Sequence, residues 1–191
     1  GGDSPAAFFV CNYSDDCGET WSKPCFVINM HSDRLPLNRS TIVGNLWTDP
    51  KGRLWFFFSQ SMEHCDGRAG SWCAVCDNPD AAEPKWSASR RLFHGYSLNK
   101  PLVLKNGTWL LGVELPPALG YFARVNAFDS LNDYRGANVM RSTDEGKTWE
   151  WLSCMKFPRP DWDEHILLER DDGRIWMVAR TGAGLRQTFS S

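Results

Sequence analysis

Apolar residues in this chain come in short runs, most of them four to seven residues long, and turn-forming residues separate them. Leu54-Trp-Phe-Phe-Phe58, Trp109-Leu-Leu-Gly-Val113 and Ile175-Trp-Met-Val-Ala179 are typical, and Gly, Pro, Asn or Asp lies between such runs. Helical periodicity is nearly absent. Runs of Val, Ile, Phe and Trp bounded by turn residues predict an all-β chain. The clearest hairpin is 164–180. Strands are expected over Glu164–Glu169 and Arg174–Arg180, with Asp172-Gly173 as the turn. Folding about Asp172 places Glu164 opposite Arg180, a carboxylate beside a guanidinium at the open end of the hairpin.

Two patterns recur. One is a glycine turn followed by an aromatic strand, with glycines at 52, 107 and 173, spaced 55 and 66 residues apart. The other is S-x-D-x-G-x-T-W, at Ser14–Trp21 and Ser142–Trp149, with a degenerate copy ending at Lys85-Trp86-Ser87. Its tryptophans, 21, 86 and 149, are 65 and 63 residues apart. Interleaved, the two patterns give a four-strand unit. The first unit, 1–31, keeps only its last two strands, near Ala7–Cys11 and Cys25–Met30. The second, 41–93, has strands at Thr41–Trp47, Leu54–Ser59, Ser71–Cys76 and Arg90–Phe93. The third, 98–156, has them at Pro101–Leu104, Trp109–Glu114, Ala137–Arg141 and Glu150–Met155. The fourth, 163–191, holds the 164–180 hairpin and a strand near Leu185–Phe189. Radial repetition of such units makes a β-propeller. About three to four blades are present, and the parent is expected to have six. Open sheet edges at both ends predict a fragment of a longer protein.

Composition narrows the partners. Net charge is −2, from 21 basic and 23 acidic residues with no basic stripe, which argues against a nucleic-acid partner. No apolar run approaches the roughly 18 residues of a membrane span, and no export signal is visible. Seven cysteines are irregularly spaced, and Cys73-Ala-Val-Cys76 lacks the second pair that a zinc site needs. No metal or cofactor is implied. Sequons at Asn12, Asn38 and Asn106 decide nothing, since such triplets arise often by chance.

In S-x-D-x-G-x-T-W the Asp is suited to accept turn N–H groups, the Gly to supply an unusual backbone angle, and the Trp to pack between units. This motif is the Asp box, or bacterial neuraminidase repeat. With Leu98-Asn99-Lys100-Pro101, Asp66-Gly67-Arg68-Ala69-Gly70 and Asp163-Glu164-His165, it makes the whole chain resemble the sialidase superfamily, in particular its bacterial Asp-box exo-glycosidases. In that family a Glu, a second Glu five residues on, a D-G turn and an Arg eleven beyond the second Glu occur together. Here these are Glu164, Glu169, Asp172-Gly173 and Arg180.

The resemblance implies a retaining exo-glycosidase that removes a terminal sialic or other acidic sugar from a glycan, with no cofactor. Arg180 matches the second of three arginines that bind the sugar carboxylate. Glu164 matches the residue that polarises a tyrosine nucleophile, the family's exception to the two-carboxylate scheme. The acid/base Asp falls to Asp3, a departure from the family pattern that leaves the sugar open. The nucleophile and the third arginine are expected beyond Ser191 and the first arginine before Gly1, so the chain alone is expected to be inactive. Alternating strand direction puts the site at the rim opposite the glycine turns. Lys100, Arg68, Asn99 and His165 are the further substrate-binding candidates there. The long loop 116–136 on the same rim gathers aromatic and charged residues, Tyr121, Phe122, Arg124, Phe128 and Tyr134, without an assigned role. Of Glu164 and His165, which alternate, one is expected to face the site and the other to pack. The substrate class favours a secreted or periplasmic protein; oligomeric state is left open. Two other readings stand beside this one: a non-catalytic propeller that binds glycan or protein, and a rhamnosidase-like hydrolase in which His165 carries more of the chemistry.

Overall fold

The structure is a computed structural model that describes residues 4–63, 68–118, 128–162 and 164–190. It is all-β: thirteen strands in four antiparallel sheets, none of them closed among the described residues. Sheet 1 pairs β1 (Phe9–Cys11) with β2 (Phe26–Ile28). Sheet 2 is a meander of β3 (Arg39–Thr48), β4 (Leu54–Met62), β5 (Gly70–Cys76) and β6 (Arg90–His94). Sheet 3 repeats it with β7 (Leu102–Val103), β8 (Trp109–Leu115), β9 (Gly136–Ser142) and β10 (Glu150–Met155). Sheet 4 holds β11 (His165–Glu169), β12 (Ile175–Thr181) and β13 (Gly184–Phe189). Among the described residues no helix is long and apolar enough to cross a membrane.

The strands fall where the pattern predicts them, and the departures have local causes. β3 and β4 run further than the apolar run suggests because their polar ends are buried and satisfy each other: Ser40 and Ser61 hydroxyls are 2.8 Å apart. β3 is also broken by a bulge between Ile42 and Asn45. Val43 takes φ +55°, and Gly44 lies so close to Phe56 and Phe9 that a Cβ there would sit 2.7–2.8 Å from their rings. β7 shortens to two residues, since Pro101 has no N–H to give a ladder. Asp129–Tyr134, read as loop, forms a 3-10 turn.

The sheets pack face to face in chain order. β4 buries both of its faces: Phe56 and Phe58 pack towards sheet 1, Trp55 and Phe57 towards sheet 3. That double burial is why its sequence is a continuous aromatic run rather than an alternation. β8 does the same, with Trp109, Leu111 and Val113 in the cluster shared with sheet 2 and Leu110 in the cluster shared with sheet 4. Between sheets 2 and 3, Trp109 meets Trp47 edge-on at 4.8 Å and Trp55 at 5.7 Å, and Trp149 meets Phe57 at 6.3 Å. Cys73 and Cys76 are packing residues of sheet 2; burial pushes the Cys73 thiol up to about 11.

One end of the sheets is held by turns. In Ser142–Trp149 the Ser142 hydroxyl donates to Asp144 Oδ1 at 2.9 Å and accepts from Gly146 N at 2.9 Å. Thr148 donates its N–H and hydroxyl to the Asp144 carboxylate at 2.8 and 2.6 Å. Ser14–Trp21 repeats these bonds residue for residue, with Asp16 in place of Asp144. In both, the residue before the glycine is left-handed, Cys17 at φ +59° and Glu145 at +60°. The second turn is also clamped from sheet 2. Lys51 pairs with Glu145 at 2.7 Å, Arg53 donates to the Glu145 carbonyl at 3.0 Å, and Arg90 donates to the Gly146 and Lys147 carbonyls. Asp49, buried at the β3–β4 turn, receives the Trp55 indole N–H at 2.9 Å and Arg53 Nε at 2.6 Å. Burial alone would raise its pKa; these donors hold it below the usual range instead.

Two outcomes follow for stability. Trp109→Ala, which opens a cavity at the join of three rings, is expected to cost about 3–5 kcal/mol in urea unfolding. The second concerns pH. The Thr148 hydroxyl, then its N–H, hold Asp144 down to about 2 from 3.8, and Thr20 does the same for Asp16. A depressed carboxylate pKa stabilises the fold above the ordinary range and loses that contribution as pH falls through the folded value. Melting temperature should therefore drop between about pH 4 and pH 2, and a D16N/D144N double variant should show a shallower drop across the same window.

Candidate functional site

The end of sheet 4 away from its Asp172-Gly173 turn carries the two charges the hairpin arithmetic brings together. β11 and β12 pair with His165 opposite Ala179 and Ile166 opposite Val178, so Glu164 and Arg180 are the next rung outward. Arg180 N–H donates to the Glu164 carbonyl at 2.8 Å, and Arg180 Nη1 to Glu164 Oε1 at 2.6 Å. The Arg180 side chain is 52% exposed and that of Glu164 33%. A guanidinium has five N–H donors. The pair uses one of them, and the exposed face of Arg180 can meet a second carboxylate.

His165 turns the other way. The residue is 4% exposed, and Nε2 donates to the Asn138 carbonyl on β9 at 2.9 Å. It rests on Gly112 of β8, where a Cβ would sit 2.8 Å from Nε2. Of the two alternating candidates, Glu164 therefore faces the rim and His165 packs between sheets 3 and 4. Asn99, in the connection from sheet 2 to sheet 3, donates Nδ2 to the His165 carbonyl at 2.8 Å. That bond spends an amide donor on backbone rather than ligand. Lys100 follows it, exposed, just before Pro101. Arg68 is half-buried, one residue before Ala69, which packs with Ile42, Tyr96 and Trp162. Glu169 is at the other end of β11, where Oε2 accepts Lys105 N at 2.7 Å. Asp3, Asp66, Gly67, Asp163, Tyr121, Phe122 and Arg124 lie outside the described residues.

The structure adds residues that the pattern did not single out. The loop before β11 is tied to the β12–β13 turn by Gly182 N–H on the Arg159 carbonyl at 3.0 Å, and Trp162 from that loop meets Tyr96 edge-on at 5.4 Å. Asn138 is fully buried and fully used. Its Nδ2 donates to the Tyr134 and Gly136 carbonyls at 2.7 and 3.0 Å, and its Oδ1 accepts Trp151 Nε1 at 3.0 Å. An Asn within Gly136-Ala-Asn-Val-Met140 and a Gly within Leu110-Leu-Gly-Val113 are the signals that mark these positions: each interrupts an apolar run. Glu114, also fully buried, is the penultimate residue of β8, with its backbone paired to Tyr96.

A cavity of about 610 Å³ lies elsewhere, against sheet 1, lined by Phe9, Val10, Trp21, Leu46 and Phe56 among others. It carries no charged side chain and none of the candidate residues, so the Glu164 rim is the better site for polar chemistry. No protein-family model matches the chain, and no curated protein is similar enough to be matched to it. The chemistry of the site is therefore argued from its residues.

Because a carbonyl only accepts, His165 Nε2 must carry a proton. Long-range ¹⁵N–¹H spectra should show a protonated, slowly exchanging His165 Nε2 wherever the fold is intact; a proton on Nδ1 alone would contradict the bond.

Proposed function

We propose that this chain is part of a β-propeller exo-glycosidase of sialidase type, which removes a terminal sialic or other acidic sugar from a glycan with retention of configuration. The observation that carries the reading is the Glu164–Arg180 pair at 2.6 Å on an exposed sheet end, with further guanidinium donors available. Four successive antiparallel sheets packed face to face, two of them four-stranded meanders, suit the blades of a propeller. The two matching S-x-D-x-G-x-T-W turns lend the same support. In this arrangement the Glu164 ends of successive sheets gather at one mouth, and Lys100 and Arg68 are further positive groups for an anionic sugar.

The chemistry is as follows. An anomeric carboxylate is bound bidentately by guanidinium groups. Its charge disfavours a carboxylate nucleophile, so a tyrosine hydroxyl supplied by the rest of the propeller attacks the anomeric carbon instead, giving its proton to Glu164 as the glycosidic bond breaks. The aglycone oxygen leaves with a proton from the acid for which Asp3 is the sequence candidate, and water then cleaves the glycosyl–tyrosine bond to release the sugar and restore the tyrosine. Arg180 holds both the Glu164 carboxylate and the substrate's. A glycan-binding propeller without catalysis is the second reading; it has the same use for Arg180 but none for Glu164.

In the full-length protein, Glu164→Gln should lower kcat strongly on an acidic aryl glycoside while leaving substrate binding. Arg180→Ala should weaken binding of acidic substrates about 10- to 100-fold, the value of a charge-assisted hydrogen bond. Full activity in both variants on every glycoside that the protein cleaves would falsify the assignment. Binding with no cleavage by wild type, and no effect of Glu164→Gln, would select the second reading.

A further inference from the structure

We propose that His165 is the positioning residue for Glu164, and that Gly112 and Asn99 are present to hold it. The proposal rests on the reading of Glu164 as the group that polarises the nucleophile, but its geometry stands independently. Glu164 lies one residue outside β11 at the open end of the hairpin, its N–H on the Trp162 carbonyl at 2.7 Å and its carbonyl accepting Arg180 N–H at 2.8 Å. The direction in which its partly exposed side chain leaves the sheet is set by the backbone it shares with the next residue. Residue 165 is fixed three times. Its ring is buried between sheets 3 and 4, with Nε2 bonded at 2.9 Å to the Asn138 carbonyl of β9. The ring lies on Gly112 of β8 at a distance that only a glycine permits. Its own carbonyl is held at 2.8 Å by Asn99, which arrives from the connection between sheets 2 and 3.

The anchor is itself rigid. Asn138 has both side-chain ends occupied by Tyr134, Gly136 and Trp151, and Tyr134 and Trp151 meet edge-on at 5.4 Å. Residue 165 therefore joins three elements that are far apart in sequence, and the side chain it aims is the rim acid. A histidine kept only for volume has no need of a carbonyl acceptor at its far nitrogen. A leucine would fill the space without one, and Gly112 would be free to carry a methyl group.

The test uses Gly112→Ala, which wedges a Cβ against the ring, and Asn99→Ala, which releases the His165 carbonyl. His165→Leu removes the donor, and His165→Gln retains an amide N–H that can reach Asn138. The first readout is the Arg180 guanidinium N–H signals, assigned by their loss in Arg180→Lys. Pairing with Glu164 shifts them and slows their exchange. Gly112→Ala, Asn99→Ala and His165→Leu are expected to return these signals to those of a free guanidinium while near-UV circular dichroism stays native, and His165→Gln to preserve them. In the full-length protein the same variants should lower kcat about 10- to 100-fold, the scale of a small misplacement of a catalytic group, with KM little changed.

Should Gly112→Ala fail to fold, Asn99→Ala decides alone. Unchanged Arg180 signals in folded Asn99→Ala and Gly112→Ala overturn the proposal, as does a His165→Leu variant indistinguishable from His165→Gln. If the signals respond as expected but wild type cleaves no acidic glycoside, the positioning stands and the catalytic reading of Glu164 falls.

Discussion

The structure depends on rings packed between sheets. β4 and β8 are each buried on both faces, and the aromatic and aliphatic side chains they send in opposite directions join sheet 1 to sheet 2, sheet 2 to sheet 3 and sheet 3 to sheet 4. A two-stranded sheet is marginal by itself. Here every sheet buries an apolar face against a neighbour, so a rim built from several sheets is as well defined as the contacts beneath it.

The two ends of the sheets have different chemistry. At the turn end, backbone carbonyls and carboxylates are consumed by the protein: Asp144 by Thr148 and Ser142, Asp49 by Trp55 and Arg53, the 145–147 carbonyls by Arg53 and Arg90. Those groups are spoken for. At the other end the charges of Glu164, Arg180 and Lys100 remain exposed in part or wholly, and the polar groups beneath them form a closed set around Asn138 and His165. Rigid support below and partly exposed charge above is a division that suits a recognition site. The same contrast separates the three tryptophans of the repeat. Trp149 packs on Phe57 and Trp86 stacks on Phe26 at 4.3 Å, whereas Trp21 is 65% exposed beside β1.

Much of this was legible in the residues. Turn spacing placed all thirteen strands, because glycine turns and S-x-D turns are local structures with local causes. The register of the 164–180 hairpin followed from its turn, and with it the meeting of Glu164 and Arg180. What the pattern misplaced depends on distant partners. Ser40 and Ser61 fall just outside the expected strands, yet they are buried within β3 and β4, where their hydroxyls are hydrogen-bonded to each other. The bulge at Val43-Gly44 is invisible until Phe56 and Phe9 press on it.

The sequence by itself determined an all-β chain, its repeats, and that one of two adjacent residues, Glu164 or His165, faces outward, since alternation along a strand permits nothing else. Which one does was settled only in three dimensions. Gly112, some fifty residues earlier, leaves room for a ring, and the Asn138 carbonyl offers that ring an acceptor. A carboxylate in the same place would face a carbonyl oxygen with nothing to donate, and so the acid takes the rim.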